Sequence, residues 1–512
     1  MTPVWRLWPR TDLAVGRRRP GPVSRRVLRR CIEGTRKGDV RANGRPPGIT
    51  TVGMDGGERV TGHVSEGSAR TGHLGLCTDL YEVRMVESYL RRGMTAPATF
   101  SLFVRPSVTR PWLVAVGIER ALEVIEAFTF GPEELAELER LGVAGEVRDR
   151  LADFELAGEV WAVEEGTVVL GQEPILEVTA PLPMAQLLET AIMNVVQFPM
   201  LVATKAARCA LAAGGRQLAD FGFRRAHGLE TGVEAALAAY VGGGFATSNV
   251  EAGRRYGVPV TGTMAHSYVQ AFTDEREAFR SFASDHPEQS VLLVDTYDTV
   301  EGVRRTIEIC RELGIEPKGV RLDSGDLGDL AVEARGLLDA AGFGDSIVIA
   351  SGGLDEYALH ELVSAGAPID GFGVGTALTV SEDHPGSDIV YKLVEYADRP
   401  VAKFSGTKST LPGPKQVVRP EEGITGDVLD RRDTEGPGTA LLAPVWRDGK
   451  RLGEAFHKDA VRSRVQEQLE ALPLAWQTPP YPDEPPLPTV GTALEHLTDE
   501  VRRAAPDGGA DS

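Results

Sequence analysis

Arg321-Leu322-Asp323-Ser324-Gly325-Asp326 puts a guanidinium and a carboxylate on alternate residues of an extended stretch, so both project from one face. That pairing suits a phosphate beside a ribose diol. Asp326 is equally suited to capping a helix. Gly262-Thr263-Met264-Ala265-His266-Ser267 carries a histidine among small residues, where a chemical role outweighs that of a satisfied core histidine. Asp220-Phe221-Gly222-Phe223-Arg224-Arg225-Ala226-His227 offers a guanidinium for bidentate capture of a carboxylate or phosphate, or else a plain surface pair. Gly352-Gly353 and Gly375-Thr376 are ordinary tight turns if taken singly. Taken together, they present backbone N–H groups to an anion.

The elements that must position these groups follow a regular rhythm from about residue 215. Short apolar runs (217–221, 245–247, 258–261, 291–294, 319–322, 347–350, 371–374) each end in a Gly- or Asp-rich turn, and helical spacing follows. Strands alternating with helices imply a parallel sheet, and the number of units with no dinucleotide fingerprint favours a barrel. In a barrel the chemistry lies on the loops after the strands, which is where the segments above fall. Upstream, the spacing predicts a helix over 79–92, a strand over 98–104, a helix over 117–128 and strands within 159–169 and 175–178. The fold class expected is α/β: an irregular (β/α) barrel over 186–380, beside an α+β sandwich built from 76–185 and completed by 381–475.

Charge and composition limit the function. The chain has 512 residues with 55 basic and 74 acidic side chains, a formal net charge of -19. Residues 1–50 hold 13 Arg and Lys against 3 Asp and Glu, a net of +10, so the rest carries -19 - 10 = -29. An acidic body argues against nucleic-acid binding by residues 76–475. Residues 1–75 read as a basic extension, disordered or upstream of the true start; a transit peptide and an arm for nucleic acid or anionic membrane are the alternatives. Residues 476–512 read as a Pro-rich tail low in order signals. Cys31, Cys77, Cys209 and Cys310 are far apart, with no zinc spacing, which suggests a reducing, cytoplasmic setting. The apolar stretch 182–213 is interrupted by Glu189, Lys205, Arg208 and several amides, so it is expected to be too polar to span a membrane.

Six segments in order resemble the nicotinate phosphoribosyltransferase family: Leu76-Cys77-Thr78-Asp79-Leu80-Tyr81-Glu82, Asp220 to Arg225, Gly262 to Tyr268, Arg321 to Leu327, Tyr391-Lys392-Leu393-Val394, and Lys403-Phe404-Ser405 to Lys415. The resemblance covers roughly residues 76–475. It implies a type II phosphoribosyltransferase fold and the transfer of phosphoribosyl from phosphoribosyl pyrophosphate to nicotinate. The products would be nicotinate mononucleotide and pyrophosphate, with ATP hydrolysis coupled and Mg2+ required, as the entry to NAD salvage.

The resemblance also assigns roles. Tyr81, from the neighbouring subunit of a homodimer, and Phe221 would clamp the pyridine ring. Arg224 would lie near ring and phosphate, with Thr263 and Ser267 also against substrate. Arg321 and Asp323 would meet the ribose and its diphosphate, Asp323 facing an oxocarbenium-like transition state. Gly352, Gly353, Gly375 and Thr376 would hold the 5-phosphate. His266 would be phosphorylated by ATP. Ser248 stands where the related nicotinamide enzyme has an Asp, which favours the acid substrate. His227 and Lys403 are further site candidates. The nicotinamide enzyme, a quinolinate enzyme and a non-catalytic ligand-binding relative are the competing readings.

Overall fold

The computed structural model describes residues 72–404, 409–453 and 456–505. The basic extension read over 1–75 lies outside these residues, apart from its last four.

Six parallel strands form the sheet that carries the site. Their spatial order is Ala246–Thr247, Gln217–Asp220, Gly371–Val374, Ile347–Ser351, Gly319–Leu322, Val291–Leu293. The last strand in sequence pairs with the first, Gly371 beside Gln217 and Val374 beside Asp220. Beyond Thr247 there is a single parallel bridge to Val260. The strand expected over 258–261 is reduced to that bridge because Pro259 has no N–H to give a ladder. No ladder joins Val260 to Val291 among the described residues, so the hydrogen bonding describes an open sheet and not a closed barrel.

The helices between these strands start where the side chains allow. Asp298, Asp326 and Asp355 each accept backbone N–H groups at the starts of Thr299–Leu313, Leu327–Ala340 and Glu356–Ser364. Asp326 is thus the helix cap its spacing permitted. A helix at Glu275–Asp285, absent from the strand–helix rhythm, fills the interval before Val291.

The second layer system is a seven-stranded antiparallel sheet in the order Arg399–Pro400, Ile389–Tyr396, Pro97–Val104, Pro174–Pro181, Glu159–Val163, Leu442–Arg447, Lys450–Arg451. Strands from both ends of the described chain therefore interleave. The stretch 159–169 divides: Glu159–Val163 joins this sheet, whereas Thr167–Val169 pairs with Leu113–Ala115. A four-stranded sheet, not anticipated from the sequence, joins Thr439–Ala440, Lys415–Arg419, Val428–Arg431 and Thr489–Val490.

The helix Glu189–Ala212 links the two halves. Its first part (Ile192, Val196, Met200) enters the core of the antiparallel sheet and its second (Val202, Ala206, Cys209) that of the parallel sheet. At 24 residues it is long and apolar enough to cross a membrane, contrary to the expectation from its polar interruptions, but its most apolar stretch is 67% buried within the protein. The segment after Pro479 is also more ordered than its composition suggested. Helix Thr492–Ala504 buries Leu494, and Asp430 of the four-stranded sheet accepts the Leu494 N–H at 2.8 Å. Its apolar side chains are few but periodic, and a Pro-rich lead-in masks them.

Candidate active site

The carboxyl ends of the parallel strands surround a cavity of about 520 Å3. Phe221, Arg224, Ser248, Thr263, Arg321, Asp323, Gly352, Gly353, Gly375 and Thr376 all line it. These residues are separated by up to 155 positions in sequence, and the shared parallel direction of the strands brings their ends to one side.

Phe221 follows strand Gln217–Asp220 and donates its N–H to the Val374 carbonyl at 2.8 Å. Its ring lies over Gly373, where a Cβ would fall 2.4 Å from the ring carbons. Glycine at that position is what seats the ring. Beneath it, the buried Asp220 carboxylate accepts the Gly222 N–H and the Thr247 hydroxyl, both at 2.8 Å. Burial pushes the Asp220 carboxyl above the usual carboxylate range. Ser248 is held by its own N–H to the Asp220 carbonyl at 2.8 Å, just before Asn249 caps helix Val250–Tyr256.

Arg321 projects from the end of strand Gly319–Leu322. It donates to the Thr263 hydroxyl at 2.6 Å and the Met264 carbonyl at 3.3 Å. Its guanidinium carbon is 5.9 Å from the centre of the Phe221 ring. Nη2 stays 3.7 Å from Asp323 Oδ1, and the buried Nε has no partner. Burial lowers the Arg321 pKa, with Arg224 adding to the effect and Asp323 and Asp295 opposing it. A half-buried cation with spare donors is a ready receptor for an anion.

Asp323 is fixed by its neighbours. Its N–H goes to Asp295 at 3.0 Å, Ser324 also donates to Asp295, and the Ser351 hydroxyl donates to the Asp323 carboxylate. Gly352 adopts φ +92°, and a Cβ there would lie 1.9 Å from the Asp323 carbonyl oxygen. Only glycine allows that approach. His266 opens the short helix His266–Gln270. Its Nδ1 is 3.1 Å from the Thr296 hydroxyl and its Nε2 is 3.9 Å from Asp323 Oδ2. His266 thus borders the cavity through Asp323 without lining it.

Four of the predicted residues are elsewhere. Tyr81, on helix Leu80–Arg91, is half exposed and does not line this cavity of its own chain. Ser267 lies on the helix behind His266, and His227 and Lys403 are exposed outside the lining. Asp295, Ser351 and Glu382 were not singled out. The first two sit at strand ends, a position the sequence shows without showing their role; Glu382 belongs to no motif and reaches the lining only through the fold.

Known proteins are similar to this chain. Residues 76–197 match the nicotinate phosphoribosyltransferase (NAPRTase) N-terminal domain, and residues 216–414 match the nicotinate phosphoribosyltransferase (NAPRTase) family. The chain is 43% identical to nicotinate phosphoribosyltransferase pncB2 of Mycobacterium tuberculosis, over 78% of this chain and 88% of that protein. It is 42% identical to nicotinate phosphoribosyltransferase of Bacillus subtilis, over 75% and 79%. Human nicotinic acid phosphoribosyltransferase superposes with a TM-score of 0.71 at 26% identity, covering 83% of this chain and 99% of that one. The matched residues span five of the antiparallel sheet's seven strands and the cavity, and the chain belongs to the nicotinate phosphoribosyltransferase family.

Proposed function

We propose that this chain transfers phosphoribosyl from phosphoribosyl pyrophosphate to nicotinate, releasing nicotinate mononucleotide and pyrophosphate in NAD salvage, and that ATP hydrolysis is coupled to the transfer through His266. The observation that carries the reading is the convergence on one cavity of an aromatic seat (Phe221), an Arg–Asp pair (Arg321 and Asp323) and two glycine loops (Gly352-Gly353 and Gly375-Thr376).

Each group has a physical task. Phe221 offers one face to the pyridine ring, and Tyr81 of a second copy in a homodimer supplies the other. Ser248 and Arg224 receive the nicotinate carboxylate. Gly352, Gly353, Gly375 and Thr376 take the 5-phosphate on backbone N–H groups. Arg321 spends its free donors on the diphosphate. As the C1–oxygen bond of the ribose breaks, positive charge grows on the sugar and the Asp323 carboxylate stabilises it. The pyridine nitrogen lone pair forms the new bond to C1, and pyrophosphate leaves with the old bonding pair.

Asp295 and Asp323 are the residues that would hold Mg2+; the buried Asp295 Oδ1 has no hydrogen-bond partner, which fits an oxygen ligand kept for a hard cation. Such an ion would neutralise charge on the leaving pyrophosphate. For ATP coupling, a Thr296 hydroxyl that accepts from His266 Nδ1–H leaves the Nε2 lone pair facing Asp323. That nitrogen attacks the γ-phosphorus, ADP departs, and the phosphoryl group is later lost to water.

The test is product formation from phosphoribosyl pyrophosphate and Mg2+ with nicotinate or nicotinamide, each with and without ATP. Product from nicotinate, faster with ATP, is expected; product from nicotinamide alone would reassign the substrate. His266→Ala should retain slow ATP-independent transfer and lose turnover-coupled ATP hydrolysis. Normal coupling in that variant would remove the phosphohistidine. Ser248→Asp should raise the nicotinate KM about tenfold, by putting like charges together.

A further inference from the structure

Two cavity-lining segments end on carboxylates that the same buried cations hold. The Gly352-Gly353 segment runs through the lining residue Asp355 to Glu356, and the Gly375-Thr376 segment runs through the lining residue Glu382 to Asp383. Glu356 is fully buried. Lys205, in the middle of the apolar helix Glu189–Ala212, contacts Glu356 and also donates to Asp383 at 2.7 Å. Arg208, three residues on, reaches Glu356 Oε1 at 3.0 Å and Asp383 Oδ2 at 3.8 Å. Arg110 completes the group with donors 2.6 and 2.9 Å from the Asp383 oxygens. The Tyr481 ring, from the segment after Pro479, covers Arg208 at 4.0 Å.

Lys205, Arg208 and Arg110 are all at least 97% buried. Burying three cations among apolar side chains is costly, and a helix needing only to pack would carry leucine or alanine there. None of them lines the cavity, and their ion pairs with the two cavity-lining segments run through the two carboxylates.

We propose that Lys205 and Arg208 are positioning residues that set the spacing of the two phosphate-binding loops, by bridging Glu356 behind one to Asp383 behind the other. The inference rests on the reading of Gly352, Gly353, Gly375 and Thr376 as the seat of the 5-phosphate. It makes affinity for the phosphoribosyl donor, and not for the pyridine, the property that this cluster controls. Tyr481 ties the end of the chain to the same adjustment.

The experiment compares wild-type protein with Lys205→Met, Lys205→Arg and the milder Tyr481→Leu. Calorimetry with Mg2+ and phosphoribosyl pyrophosphate gives Kd, and steady-state assays give both KM values and kcat. Thermal melts identify any variant that fails to fold, in which case Tyr481→Leu carries the comparison. Lys205→Met is expected to weaken donor binding at least tenfold, leaving the nicotinate KM and the kcat at saturating donor within about threefold. Lys205→Arg should recover most of the loss, and Tyr481→Leu should show the same selectivity at a few-fold. Unchanged donor affinity in folded variants, or equal losses for both substrates, would overturn the proposal. Wild-type protein that binds the donor but makes no mononucleotide would sink only the functional reading, and the Kd comparison would still decide this one. Failure of the wild type to bind the donor would overturn both.

Discussion

Two of the chain's Arg–Asp pairs, one in each half of the fold, are built for opposite ends. In the four-stranded sheet, Arg419 grips Asp427 with two donors, Nε at 2.9 Å and Nη2 at 2.6 Å, and the Asp427 side chain is fully buried. The remaining Arg419 donors go to Gln468 and the Val168 carbonyl. At the end of the parallel sheet, Arg321 and Asp323 stay 3.7 Å apart, Asp323 is 31% exposed, and Arg321 Nε has no partner. The first pair is committed to contacts within the fold. The second keeps donors and an open carboxylate edge, which is the condition for binding a charged ligand.

The difference is best tested from the tight pair first. Asp427→Asn removes the buried carboxylate that grips Arg419 and leaves Glu173 as the nearby carboxyl, so it should cost about 1–3 kcal/mol of stability. Urea unfolding should report that loss, while kcat/KM per folded molecule stays near wild type. A large activity loss with full stability would break the comparison. Asp323→Asn should do the reverse. Its charge faces the cavity, and removing it should lower kcat/KM about 10^2–10^3-fold, the scale of a lost transition-state contact. Its thermal midpoint should scarcely move, because the side chain is partly solvated and keeps its polar shape.

A third carboxylate refines the contrast by having backbone donors. Glu165 accepts the N–H groups of Gly117 at 2.6 Å and Glu119 at 3.0 Å, at the start of helix Ile118–Ala127. Burial raises its pKa from 4.5 to about 7, more than those N–H groups lower it. Below 4.5 both folded and unfolded forms are protonated, so the group is neutral in effect. Between 4.5 and 7 only the folded form keeps the proton. Stability should therefore fall with rising pH across that window, by at most about 1.4 kcal/mol per pH unit from this group. Glu165→Gln should flatten that part of the profile, and an unchanged slope would show that Glu165 is not its source.

Much of the site was legible before the fold. The Arg321/Asp323 alternation, the His266 loop and the two glycine segments are local patterns, and all but the His266 loop lie at the end of an apolar run that became a strand. The apolar residues at 258–261 predict a strand that Pro259 cuts to a bridge, and the prolines after Pro479 hide the periodicity of Thr492–Ala504. The roles of Asp295, Ser351 and the Lys205 cluster were not legible. They depend on contacts between residues 28 to 178 positions apart, and no local pattern encodes those.

The sequence by itself determined which residues could do chemistry and that strand ends would present them, because alternation, capping and glycine freedom act within a few residues. It could not say which Arg–Asp pair would be locked and which left open. Arg419 meets Asp427 because the antiparallel register sets Val418 beside Val428 and closes the pair. Arg321 is drawn away from Asp323 by Thr263 and Met264, some 57 positions earlier in the chain. Only tertiary structure brings those competing acceptors within hydrogen-bond reach, since the energy of a charge depends on every partner near it.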